Sequence, residues 1–70
     1  MSYNDKLNFM TSEIRVSTGI NTEIICDDRY NIRFITDKRQ SRKIDLRNIN
    51  SKADLVLYSR LVSLDLTIPA

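Results

Sequence analysis

The stretch EIRVSTGINTEIICDDRYNIRFITDKRQSRKIDLRN, residues 13–48, decides how this chain is read. Apolar or β-branched residues recur in it at every second position: Ile14, Val16 and Thr18; Thr22, Ile24 and Cys26; Tyr30, Ile32 and Phe34; Ile44 and Leu46. A period of two puts successive side chains on opposite faces of a strand, so each row marks one face. The segments between the rows, Gly19 to Asn21, Asp27 to Arg29 and Asp37 to Ser41, are short and polar, as hairpin loops are. Pairing Val16 with Ile24, Ile24 with Ile32 and Ile32 with Leu46 closes all three loops and keeps every row on the same face. The pattern therefore predicts a four-stranded antiparallel β-meander over about residues 13–48, with Cys26 and Tyr30 on its buried face.

Outward from that stretch, Asn48 to Ser51 is a polar break, and Ser51 with Asp54 three residues later has the form of a capping box. Leu55, Tyr58, Leu61 and Val62 then share one helical stripe, which predicts a helix over about 52–61 covering the sheet. Val62, Leu64, Leu66 and Ile68 alternate with Ser63, Asp65 and Thr67 up to Pro69, which predicts a terminal strand over 62–68. The expected class is thus α+β. An all-β chain, with Leu55 and Leu57 opening a further hairpin, is the alternative. At the other end, Asn4 or Asp5 heads a segment that carries Leu7 and Met10 toward the core, as a short helix or an extended arm.

The chain has 70 residues, room for a single small domain. Domains of this size bury a modest share of their surface and often depend on disulfides, metals or a partner subunit. One cysteine and no histidine leave no internal disulfide and no Cys/His metal site, so self-association is the support expected here. No apolar run reaches the length of a membrane span, and the first residues lack a secretory profile. Cytoplasmic location, with no membrane contact, is the expectation.

The same inventory argues against an enzyme. Without histidine there is no Ser/His/Asp or Cys/His nucleophile and no usual proton shuttle at neutral pH. A single glycine, Gly19, excludes the glycine-rich phosphate cradles. Asp27 and Asp28 read as a turn whose carboxylates bond nearby amides, and in strand geometry they point to opposite faces. No catalytic residue, cofactor, metal or small-molecule substrate is expected.

Charge is uneven along the chain. Residues 1–32 carry three basic and five acidic side chains, and residues 33–60 carry eight and three. Lys38, Arg39, Arg42 and Lys43 would stand at a hairpin tip, with Arg33 and Arg47 on the exposed sheet face. Such a ribbon suits phosphate contact in a DNA groove or contact with a protein. In order of elements alone, a three-stranded sheet followed by a helix resembles the amino-terminal DNA-binding domains of some phage and transposon integrases, over roughly Ile24 to Val62. That resemblance implies nucleic-acid contact, although none of the family's motif residues is matched. The function expected first is a non-catalytic regulatory module of adaptor or inhibitor type that binds a protein or itself as a homodimer; nucleic-acid binding through 38–43 is second.

Overall fold

The computed structural model describes residues 1–28 and 30–68. Two helices, α1 (Tyr3–Thr18) and α2 (Lys52–Thr67), flank a two-stranded antiparallel sheet of β1 (Glu23–Cys26) and β2 (Ile32–Ile35), and a 3-10 turn at Leu46–Asn48 leads into α2. The α+β class holds; the four-stranded meander under one helix does not. Residues 13–18 are the end of α1, and 62–67 are the end of α2. With only two strands paired and a helix ahead of them, the integrase-like order of elements is lost as well.

The first helix is specified at both ends. At its start the Ser2 hydroxyl accepts a hydrogen bond from the Asp5 N–H at 3.1 Å while the Asp5 carboxylate accepts from the Ser2 N–H, a reciprocal capping box. Its end is set by Gly19, whose left-handed conformation (φ 69°) lets its N–H reach the Arg15 carbonyl at 2.9 Å. Between the caps, Tyr3, Leu7, Met10 and Ile14 are spaced by four, three and four residues, which is one helical face. Met10 and Ile14 are fully buried, whereas Val16 is 86% exposed. Residues two apart lie about 200° apart around a helix, so the Ile14–Val16 alternation is split between core and solvent.

In α2 the Ser51 hydroxyl accepts from the Asp54 N–H at 3.1 Å, which is one half of the capping box the sequence predicts. The buried face is Leu55, Ser59, Val62, Ser63 and Leu66. Ser59 and Ser63 donate to the carbonyls of Leu55 (2.7 Å) and Ser59 (2.8 Å), so their burial leaves no hydroxyl unsatisfied. The helix runs through the span expected as a strand because every second residue there alternates between core and surface: Val62 and Leu66 are buried, Leu64 and Ile68 are not.

The two helices pack against each other and share one core with the sheet. Met10 and Ile14 come from α1, Ile32 and Phe34 from β2, Ile44, Leu46 and Ile49 from the connection, and Leu55, Val62 and Leu66 from α2. In the sheet, Ile24 pairs with Phe34 and Cys26 with Ile32, two residues away from the expected register. A shift of two preserves the face, which is why Ile32 and Phe34 are buried as predicted. The loop between the strands is longer than expected. Asp28 holds it by accepting from the N–H of Tyr30 (2.7 Å) and the side chain of Asn31, and this leaves Tyr30 outside the core. Arg29, expected in that loop, and Pro69, expected to end the terminal strand, lie outside the described residues.

Ser41 is where the expected fourth strand fails. After β2 the chain turns back and forms single bridges, Ile35 with Gln40 and Ile32 with Ile44. Between them the Ser41 hydroxyl takes the place of a strand carbonyl, accepting from the buried Phe34 N–H at 3.0 Å and donating to the Arg42 carbonyl at 2.8 Å. Asp45 then accepts from the Arg47 N–H and starts the 3-10 turn, so Leu46 enters the core from that turn and not from a strand opposite Ile32.

Candidate interaction surface

The six cations singled out from the sequence do not form one patch. Thr36 shapes the hairpin tip: its N–H donates to the Arg39 carbonyl at 2.9 Å and its hydroxyl accepts from the N–H groups of Lys38 and Arg39. Lys38 is exposed there and Arg39 half-buried. Arg42 is drawn away from the tip toward α2, where its guanidinium forks onto Asp65, Nε to Oδ2 at 2.7 Å and Nη2 to Oδ1 at 2.9 Å, while its backbone N–H also donates to Oδ2. The Arg42 hydrogen bonds hold the Asp65 carboxyl below the usual aspartate range, and the same pairing raises the guanidinium.

Arg47 is engaged in the same way with Asp45, Nη2 to Oδ2 at 2.7 Å, and lies 3.3 Å from the centre of the Tyr30 ring. Arg47 lowers the Asp45 carboxyl, chiefly through its side-chain hydrogen bonds. Arg33 reaches Gln40 Oε1 at 3.1 Å and Asp27 at 3.5 Å. Three of the six cations therefore already have an aspartate partner. Among the described residues, Lys38, Arg39 and Lys43 have none.

Cys26, expected inside, is exposed at the end of β1, with Sγ 3.2 Å from the Tyr3 hydroxyl and 3.3 Å from the Asp28 carbonyl. No group of three or more acidic or thiol side chains placed to hold a metal ion occurs among the described residues.

A different surface emerges on α2. Leu57, Leu64 and Ile68 are 52%, 49% and 55% exposed, and Leu61 is partly exposed. At 100° per residue Leu57, Leu61 and Leu64 fall within a band of about 60°, on the side of the helix away from Leu55, Val62 and Leu66, and Ile68, the residue that caps the helix, follows at the end of that band. Asp54 and Asp65 border the band on one side and Arg60, exposed and without an acid partner among the described residues, borders it on the other. Toward its carboxyl-terminal end, the band continues into an open groove of about 600 Å³ between Arg39, Gln40 and Arg42 on one wall and Leu64, Asp65 and Ile68 on the other.

The signal for this stripe was present in the sequence as spacings of four, three and four. It is masked because the sequence pattern sets Leu61 on the buried stripe with Leu55, Tyr58 and Val62 and sets Leu64 in a separate strand, whereas Leu61 lies off the buried face of α2 and is partly exposed. Comparison with family models, curated proteins and solved structures found no match to this chain. No helix among the described residues is long and apolar enough to cross a membrane.

Proposed function

We propose that this chain is a small non-catalytic binding module of adaptor or inhibitor type, acting in the cytoplasm through protein–protein contact made by the outer face of α2. The observation that carries the reading is the row Leu57, Leu61 and Leu64 on the outer face of α2, continued by the capping residue Ile68, with Leu57, Leu64 and Ile68 exposed and Leu61 partly so. Aligned exposed apolar residues with polar borders are the usual mark of a protein contact, whereas scattered ones are not. A helix laid along such a row is a common mode of recognition. Self-association belongs to this reading, since a chain of this size gains most from burying such a face. The reading requires no cofactor, metal or small-molecule substrate.

Immobilised protein and its Leu57→Glu/Leu64→Glu variant, compared for what they retain from a nuclease-treated extract and from a solution of the pure chain, test this. The wild type should retain a protein, itself included, that the variant releases while keeping its helical circular dichroism. Equal retention by both forms, or none, would refute it.

Nucleic-acid contact is the second reading, favoured by one observation: Lys38, Arg39 and Lys43 have no aspartate or glutamate partner among the described residues. It requires affinity for a DNA or RNA oligonucleotide at low salt that falls steeply as salt rises and is lost in Lys38→Glu/Lys43→Glu. Absence of any such affinity would dispose of it.

A further inference from the structure

We propose that the outer stripe of α2 is the seam of a parallel homodimer, in which a second copy of the chain lays its own α2 alongside in register. This rests on the protein-contact reading and names the partner. The spacing of Leu57, Leu61, Leu64 and Ile68 is that of alternating d and a positions in a two-stranded coiled coil. Both helices are already folded on their own cores, so pairing does not bear the cost of ordering a helix, which defeats short isolated coiled coils.

The borders of the stripe select the partner and its direction. With Leu57 and Leu64 at d, Arg60 falls at g and Asp65 at the e position five residues later. In a parallel pair, g faces the e that follows it on the other helix, so Arg60 of each copy meets Asp65 of the other, twice across the two-fold axis. In an antiparallel pair g faces g and e faces e, and these charges never meet. Asp65 has room for this second donor. Arg42 occupies Oδ2 with two hydrogen bonds and Oδ1 with one, and a carboxylate offers about four acceptor directions. The parallel arrangement also sets Asp54, at the first a position, against its own copy at the exposed start of the helix. That like-charge contact is a cost specific to this geometry, and it provides a signature.

The experiment is oxidative cross-linking in a Cys26→Ser background, with Leu57→Cys and Leu64→Cys made separately. Parallel pairing brings each position against itself, so each variant alone forms a disulfide-linked dimer. Antiparallel pairing sets residue 57 against residue 68; cross-linking only in a mixture of Leu57→Cys and Ile68→Cys proteins overturns the parallel seam while leaving the face as a protein contact. Sedimentation equilibrium of the Cys26→Ser protein supplies the second readout. Arg60→Glu, which turns two attractive pairs into two repulsive ones, should raise the dimer Kd about four- to thirty-fold and Asp54→Asn, which removes one like-charge contact, should lower it about two-fold, the scale of pairwise helix-surface charges. A monomer at several hundred micromolar overturns the homodimer. The protein-contact reading then stands or falls separately, on retention of a different protein that is lost on Leu57→Glu/Leu64→Glu substitution.

Discussion

Arg42 and Asp65, 23 residues apart in sequence, are joined by two side-chain hydrogen bonds of 2.7 and 2.9 Å that tie the segment after the hairpin to the last turns of α2. Because Arg42 holds the Asp65 carboxyl below its ordinary range, the folded chain binds that proton less readily than the unfolded chain does. The stabilisation is then complete above the unfolded aspartate value, about 4, and drains away as pH falls through the lower folded value. Asp45 under Arg47 contributes in the same direction. The melting temperature should be level from neutral pH to about 5 and decline below about 4. Asp65→Asn should flatten part of that acid limb, and an unchanged limb would count against the pair. Arg42 is half exposed, so the effect is small and shrinks in high salt.

Ser41→Ala removes the acceptor of the buried Phe34 N–H. A buried donor left unpaired costs about 1–3 kcal/mol, which urea unfolding would measure. A change below about 0.5 kcal/mol, ordinary for an inert surface position, would mean that the hydroxyl does not substitute for a strand carbonyl.

Helix α1 should be sensitive at its ends. Ser2→Ala should cost about 0.5–2 kcal/mol through the lost cap. Gly19→Ala should cost about 1 kcal/mol because alanine resists the left-handed backbone. A Cβ at residue 19 would meet nothing within 4 Å, so crowding adds nothing to that cost. Circular dichroism on both variants reports whether helix content falls with stability.

Leu64 and Leu66 separate the helix from the strand reading. They share a face in a strand and lie on opposite sides of a helix. Leu66→Ala should cost about 2–5 kcal/mol as a core truncation, while Leu64→Ala, measured at chain concentrations below those at which the protein pairs, should stay within about 0.5 kcal/mol as a surface change. Similar losses at both positions would contradict the helix.

Much of the core was legible in the sequence. The faces of Ile32, Phe34, Ile44 and Leu46 follow from alternation alone, since parity survives a register shift of two and even the replacement of a strand by a 3-10 turn. The start of α2 was legible in Ser51 and Asp54. The helical ends of both misread segments were not, because Ile14-Val16-Thr18 and Val62-Leu64-Leu66-Ile68 satisfy a period of two as well as they satisfy two opposite sides of a helix. At residues 13–18 the deciding evidence lay elsewhere in the chain, in the capping pair Ser2 and Asp5 and in Gly19 as the stop. The basic tip was overestimated for a different reason. Linear spacing groups Arg42 with Lys43, but only the folded chain reveals the aspartate that Arg42 turns to meet.

The break at Ser41 also bears on how the molecule avoids clumping. A straight strand over residues 40–46 would offer a flat row of free amides on which another chain could stack and grow into a fibril. Here that margin has been made irregular: one hydroxyl stands in for a carbonyl, and the following residue is fastened to α2. With the Arg42 amide spent on Asp65, that side of the sheet is a poorer template for ribbon-like growth than a straight strand would be.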